Sequence, residues 1–185
     1  MLINNYLNEI KSNLAKDNLK TFANFLKKEF LKTHKNKGKV IIVGNGGSAS
    51  TASHVSVDLT KNANIKAVNF NEPNLITCFS NDFGYDKWIE SGLNFYCDKK
   101  KDFVLFLSVS GNSKNLVFGA KWCKKNKVKF STLTGCDKNN LLNRLSKPKN
   151  YWVNSHAYNI VEIIHHAILL MVVDLVIGKS VYKPN

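Results

Sequence analysis

Two apolar runs in this chain each end in a loop rich in glycine and serine, and this arrangement most restricts the possible fold. The first run, residues 39–43, precedes Gly44-Asn45-Gly46-Gly47-Ser48, and the second, residues 103–107, precedes Ser108-Val109-Ser110-Gly111-Asn112-Ser113. A helical pattern follows each loop. A strand that enters a helix in this way directs free backbone N–H groups and the helix dipole at one point, which favours an anion. Serine hydroxyls add donors, so two such loops predict a site for a phosphorylated small molecule.

Other interpretations fit these loops less well. Each loop alone fits an ordinary strand-to-helix turn with a serine N-cap, but one cap needs one hydroxyl and the second loop has three. Neither loop carries the lysine of a P-loop. The first loop matches a dinucleotide motif only loosely, through Gly44, Gly46 and Ala49, and no acid lies about 20 residues further on, where residues 67–71 stand. The sequence therefore predicts no nucleotide cofactor.

Length and composition predict one soluble domain, residues 1–185, with a sizeable core, because 44% of the 185 residues are hydrophobic. Residues 1–18 lack the pattern of a signal peptide. The longest apolar stretch, residues 163–177, is interrupted by histidines and an aspartate, so we expect a buried helix and no membrane partner. The cysteines are scattered, which predicts reduced thiols and a cytoplasmic protein: Cys78, Cys97, Cys123 and Cys136.

The formal net charge of +14 suggests a nucleic-acid partner, but the pattern of basic residues argues against one. Arg144 is the only arginine in the chain. Arginine is the residue that most often contacts base edges and forms bidentate hydrogen bonds with phosphates. The lysines are spread along the chain as on a solvated surface. An anionic substrate fits the charge equally well.

Strand and helix patterns alternate after an N-terminal helical arm, residues 1–36, in which Asp17 is the predicted cap of the second helix. Apolar faces of such an arm must be buried on the domain or on another subunit, so we expect it to serve oligomerisation. Alternation predicts an α/β fold: a doubly wound, mostly parallel five-stranded sheet with helices on both faces. The predicted strands are 39–43, 65–70, 103–108, 128–134 and 151–154, and the predicted helices are 49–60, one after Tyr85, 114–125, 141–145 and 157–177.

Candidate chemical residues lie on the helix after the first loop and on the last helix. His54 and Asp58 are four residues apart and share a helical face, as do Glu162 and His166, with His165 three residues after Glu162. Histidine and carboxylate at this spacing can bind a divalent metal, act as general acid and base, or simply form a hydrogen bond on a helix surface. A second segment, residues 81–85, is predicted as a turn, from which Asp82 could bind a sugar hydroxyl.

Taken together, these motifs resemble the sugar isomerase (SIS) domain, and within it most closely the phosphoheptose isomerases. The resemblance rests on Gly44-Asn45-Gly46-Gly47-Ser48-Ala49, on His54, on Asn81-Asp82 and on the second loop, and it extends over nearly the whole chain. It implies a homotetramer with active sites at subunit interfaces, and the conversion of sedoheptulose 7-phosphate to glycero-manno-heptose 7-phosphate through an enediol. Some members bind zinc there.

The resemblance also implies roles for individual residues. The phosphate would be held by four serines, with Asn45 beside the sugar: Ser48, Ser108, Ser110 and Ser113. His54 would be a metal ligand, with Asp58 and Glu162 as further possible ligands. Asp58 would be the catalytic base and His166 its partner.

Two positions depart from the family pattern. Asp58 stands where the family has a glutamate, and Leu170 aligns with the second, catalytic histidine of the last helix. Leucine cannot move a proton, and His166, one turn earlier on the same face, is the candidate substitute. Two alternatives therefore stay open: a non-catalytic member that binds phosphosugars or a bacterial replication initiator, and a phosphosugar-sensing regulator.

Overall fold

A computed structural model of the chain describes residues 1–181, so residues 182–185 of the predicted domain lie outside the described part. Its centre is a five-stranded sheet in which every pair of neighbouring strands is parallel, in the order β2-β1-β3-β4-β5. The strands are β1 (Val40–Gly44), β2 (Ala67–Val68), β3 (Phe103–Ser108), β4 (Lys129–Thr134) and β5 (Asn150–Trp152).

Helices cover both faces of this sheet. They are α1 (Leu2–Leu14), α2 (Asp17–Lys35), α3 (Gly47–Lys61), α4 (Pro73–Phe83), α5 (Trp88–Tyr96), α6 (Lys114–Lys125), α7 (Leu141–Ser146) and α8 (Tyr158–Ile177). One hydrophobic cluster joins α2, α3 and α8 to one face, and a second cluster joins α5 and α6 to the other. The predicted doubly wound arrangement is therefore confirmed.

The central strands β1 and β3 position the two glycine and serine loops. Every residue of both strands is buried, as expected for parallel strands covered on both faces. Their register pairs Val40 with Phe103 and Gly44 with Leu107. Both strands thus end at the same edge of the sheet, and the loops that follow them lie side by side.

The two helices of the N-terminal arm have different environments. Helix α2 buries Leu19, Phe22, Leu26 and Phe30 in the core of its own domain. Helix α1 instead leaves its first apolar side chains exposed. Asp17 is not the cap: it is the first helical residue, after Lys16 at the N-cap position.

The region between β1 and β3 shows the largest differences from the predicted elements. Strand β2 has only two residues because the asparagines after it bond to helix α3: Asn69 donates to Ser56 at 3.0 Å, and Asn71 donates to the carbonyl of Ala49 at 2.7 Å. Helix α4 was not predicted, although Pro73 at its start is a helix-initiation signal.

The predicted turn at residues 81–85 begins later than expected. Asn81 to Phe83 form the last turn of α4, and the chain turns at Gly84, whose φ is +84°. Cys78 is exposed, because α4 has no buried residue.

Helix α8 is the one helix in residues 1–181 that is long and apolar enough to cross a membrane by length and composition alone. It packs against α1, α2 and α3. Its fully buried side chains, such as Ile164 and Ile168, belong to the larger hydrophobic cluster, as expected of a core helix.

Candidate active site

A small cavity of about 80 Å³ lies between the two loops at the carboxyl ends of β1 and β3. All the predicted phosphate-binding serines line it, together with Asn45. Its full lining is Asn45, Ser48, Leu107, Ser108, Val109, Ser110, Ser113, Leu116, Tyr158 and Glu162. Ligands of open parallel sheets bind at this edge.

The hydroxyls of the second loop keep their protons available for a ligand. Ser108 Oγ accepts the backbone N–H of Gly111 at 3.0 Å, and Ser110 Oγ accepts that of Asn112 at 3.2 Å. A hydroxyl that accepts one hydrogen bond still has its own O–H to donate. Ser113 is the N-cap residue of α6, but its side chain makes no capping bond, so the cap interpretation does not account for it.

Gly111 gives the second loop its shape. Its φ is +65°, a left-handed conformation that favours glycine, and a β-carbon there would collide with the side chain of Asn140. Asn140 in turn caps α7 by accepting the N–H of Asn143. The segment that follows β4 therefore packs against the second loop and fixes its conformation.

The first loop differs from the second, because a carboxylate of the protein lies at the N-terminus of the helix that follows it, α3. The side chain of Glu162 sits against Gly47, the first residue of α3, so closely that a β-carbon on Gly47 would collide with it. A carboxylate is stabilised at a helix N-terminus by the helix dipole. The start of α3 thus faces Glu162, which lines the cavity together with the second loop and Ser48.

Two asparagines tie the two loops together. Asn45 Nδ2 donates to Asn115 Oδ1 at 3.0 Å, and Asn115 Nδ2 donates to Asn45 Oδ1 at 2.9 Å. The amide of Asn45 is therefore held at the cavity wall by a reciprocal pair. This fixed orientation is compatible with the contact to a sugar that the family resemblance implies for Asn45.

A second group of polar side chains lies one helical turn away from the cavity. His54 Nε2 is 3.3 Å from Asp58 Oδ2, and the His54 ring meets the ring of His166 edge to face, with centroids 4.9 Å apart. Thr51 Oγ1 is 3.3 Å from His166 Nδ1, and Asn62 donates to Asp58 at 3.1 Å. The sequence-predicted pair on α3 and the histidine on α8 are thus brought together.

Partial burial and the nearby His54 lower the pKa of His166, while the charge of Asp58 opposes this shift. The imidazole is therefore neutral at neutral pH, with one ring nitrogen protonated and the other free. Thr51 contacts Nδ1, which leaves Nε2 as the nitrogen available to a ligand.

The neighbouring His165 has the opposite environment. It is 1% exposed, and within residues 1–181 neither ring nitrogen has a hydrogen-bond partner. Burial lowers the pKa of His165 to about 4, and the nearby Thr134 backbone opposes this shift. His165 faces the core, and His166 faces the cluster on α3.

Comparison with known proteins places this arrangement in a family. No family model matches the chain. The phosphoheptose isomerase of Buchnera aphidicola subsp. Schizaphis graminum is 37% identical over 141 residues, which cover 64% of this chain and 70% of that protein.

The chain belongs to the phosphoheptose isomerase family.

Solved structures agree with this membership at the level of the fold. The phosphoheptose isomerase of Neisseria gonorrhoeae superimposes with a TM-score of 0.85 at 21% identity and covers 94% of both chains. That of Francisella tularensis gives 0.83 at 21% identity, covering 96% of this chain and 97% of the other. The sugar isomerase fold expected from the sequence is confirmed.

The metal ligands predicted for this family member are not assembled within one chain. Across residues 1–181, no group of three or more His, Cys, Asp or Glu side chains is arranged to hold a metal ion. His54 and Asp58 are in contact, but Glu162 lies at Gly47, beside the phosphate cavity. The residues of the single chain therefore do not fit a zinc centre.

Two further predicted positions lie apart from the cavity. Asp82 is exposed on α4, where its carboxylate accepts from Asn81 at 3.0 Å, and it does not line the cavity. Leu170 is partly buried and packs against the larger hydrophobic cluster, one turn beyond His166. At the position where the family resemblance implies a proton carrier, the chain therefore has a core contact.

Sequence reasoning missed two residues of the candidate site. Tyr158, the first residue of α8, lines the cavity, and its spacing of four from Glu162 was the available signal. Thr51 contacts His166, and its place three residues after Ser48 puts it on the same face of α3.

Proposed function

We propose that this phosphoheptose isomerase family member is an isomerase that interconverts sedoheptulose 7-phosphate and glycero-manno-heptose 7-phosphate. One observation carries the proposal. The serine-lined cavity and the cluster of His54, Asp58 and His166 lie along the same seam between α3 and α8, one helical turn apart.

The spacing along both helices supports a single elongated ligand. Glu162 at the cavity and His166 in the cluster are four residues apart on α8, a rise of about 6 Å. On α3, Ser48 lines the cavity, and Thr51, three residues later, contacts His166 in the cluster. A phosphate held by the second loop therefore places the other end of a short sugar chain beside the histidines.

The proposed chemistry moves one carbon-bound proton. Asp58 removes a proton from C1 of the ketose while His166 donates one to the oxygen on C2, giving an enediol. Asp58 then returns its proton to C2, and the hydroxyl on C1 gives its own proton to His166 as C1 becomes the aldehyde, which restores both side chains. A neutral histidine can both donate and accept protons at neutral pH, as this exchange requires.

The decisive experiment is direct. The purified protein is incubated with sedoheptulose 7-phosphate, with and without zinc, and aldose formation is followed. Turnover in either condition supports the isomerase. Tight binding of the sugar phosphate with no turnover under any metal condition contradicts it.

A non-catalytic phosphosugar-binding protein is the second candidate, and Leu170 is the observation that favours it. The proton carrier that the family resemblance predicts at this position is absent, and His166 alone must replace it. The cavity and its serines do not depend on that replacement. Binding would therefore survive the loss of chemistry.

Zinc and a homotetramer are also part of the proposal. A second subunit could complete a ligand set that one chain leaves incomplete, and it could bring Asp82 to the substrate. Exposed apolar side chains on α1, α4, α5 and α8 support such contacts: Leu2, Ile3, Leu7, Phe83, Phe95, Tyr96, Ile163 and Met171. Light scattering at micromolar concentration tests the assembly, and a monomer there would contradict it.

We propose a phosphorylated sugar as the ligand of this protein. We propose no nucleic-acid or membrane partner, and a location in the cytoplasm. The phosphate cavity, rather than the overall charge of +14, is the feature assigned to ligand recognition.

A further inference from the structure

A second cavity, separate from the site above, lies along the outer side of strand β5. Its volume is about 490 Å³, and it shares no residue with the phosphate cavity. The lining contains three lysines and no acidic side chain: Lys16, Asn18, Lys138, Lys147, Pro148, Asn150 and Trp152. Cavities of this size commonly hold small molecules.

Trp152 holds two of these lysines over its indole ring. Lys16 Nζ lies 5.0 Å from the ring centroid, and Lys138 Nζ lies 5.6 Å from it. The attraction of each ammonium to the ring limits its motion. The indole is itself fixed, because its Nε1 donates to the carbonyl of Cys136 at 2.9 Å.

The two ammonium groups repel one another. Burial, and then the charge of Lys138, lowers the pKa of Lys16. Lys16 donates to Asn13 Oδ1 at 2.7 Å, which is a neutral partner and does not cancel the charge. A multiply charged anion in the cavity would relieve this repulsion.

We propose that the cavity beside β5 binds a polyphosphate group, either free or carried by a nucleotide, at a site separate from the isomerase centre. Two lysines held at one indole ring and a third in the cavity lining suit a ligand with two or more negative charges better than a single phosphate monoester. Asn18 and Asn150 add amide donors, and the indole offers an apolar surface beside the charges.

The test is calorimetric titration of the purified protein with inorganic pyrophosphate and, separately, with ATP, both at about 0.15 M salt to limit general charge effects. The variant is Lys138→Gln/Lys147→Gln, because both lysines are exposed and the fold does not depend on them. The matched control is Lys99→Gln/Lys100→Gln, which removes the same charge from another exposed surface, where Lys99 lies 5.5 Å from the ring of Trp122.

We expect the first variant to weaken one binding event at least about tenfold, since charge-assisted hydrogen bonds are strong. The control variant and Ser110→Ala should leave that event unchanged. Equal weakening in both lysine variants, or no binding of either ligand, would overturn the proposal. Equal affinity for pyrophosphate and ATP would show that the protein recognises the polyphosphate group alone. Tighter binding of ATP would show that the protein also contacts the nucleoside.

Discussion

The candidate site has two ends that differ in how completely one chain builds them. The phosphate end, at Ser108, Ser110 and Ser113, is a small cavity whose loop is fixed by hydrogen bonds from backbone N–H groups to the serine hydroxyls. The proposed proton-transfer end, at Asp58 and His166, is a partly exposed cluster on two helix faces, and within residues 1–181 no group of three or more possible metal ligands is assembled. Binding and chemistry are thus built separately, and substitutions should separate them.

Asp58→Asn should have the largest effect, reducing isomerisation to background while sparing phosphosugar affinity. The change removes the proposed base and leaves the serine cavity intact. Product formation and calorimetry measure the two quantities. The same variant should lower the pKa of His166 further, since the charge of Asp58 raises it, and NMR titration can follow this shift. Undiminished turnover would remove Asp58 from the mechanism.

His166→Ala should lower turnover by about 10²- to 10⁴-fold, the usual contribution of a general acid or base. Affinity for the sugar phosphate should change little, because His166 does not line the cavity. Thr51→Val tests the orientation of the same ring, and Thr51→Ser should restore it. If His166→Ala weakens binding as strongly as turnover, the division between the two ends fails.

The two ends also differ in how far the sequence predicts them. The phosphate end depends on local chain geometry, a strand, a glycine turn and a helix start, so adjacent residues encode it. Strands β1 and β3 and the serine loops were accordingly predicted well. The proton-transfer end depends on which residues of α8 face α3. Helical spacing from Leu170 favoured His166 over His165, and in the structure the ring of His166 contacts that of His54.

Contacts between distant segments explain the remaining differences. Glu162 was expected among metal ligands, but the packing of α8 places it at the start of α3. Strand β2 is short because asparagine side chains bond to α3, a long-range choice that local patterns do not encode. The burial of α2 likewise depends on the whole core.

The two adjacent histidines should differ in the property that each controls. His165→Leu should change the stability of the protein, whereas His166→Ala changes turnover. The folded-state pKa of about 4 lies below the ordinary value of about 6.5, so below pH 6.5 the unfolded chain binds a proton that the folded chain does not. The wild-type free energy of unfolding should therefore fall by about 3 kcal/mol from this group as the pH drops from about 6.5 to about 4.

The leucine variant should lack that part of the acid sensitivity. At pH 7 it should be at least as stable as the wild type, because it removes a buried polar ring without partners. Urea unfolding at pH 7 and pH 4.5 measures both quantities, with the exposed His156→Gln as control. A large loss of stability at pH 7 would show that His165 makes a favourable polar contact.

Ser110→Ala should have the smallest effect and should act on binding alone. Loss of one neutral hydrogen bond costs about 1 kcal/mol, close to a fivefold loss of affinity, and more where the phosphate charge strengthens the bond. Calorimetry with the sugar phosphate measures it, and Ser12→Ala on the exposed side of α1 is the matched control. Because Ser110 lies at the phosphate end, KM should rise while turnover at saturation stays near the wild-type value. A fall in saturated turnover with unchanged affinity would place Ser110 in the chemistry and would erase the distinction between the two ends.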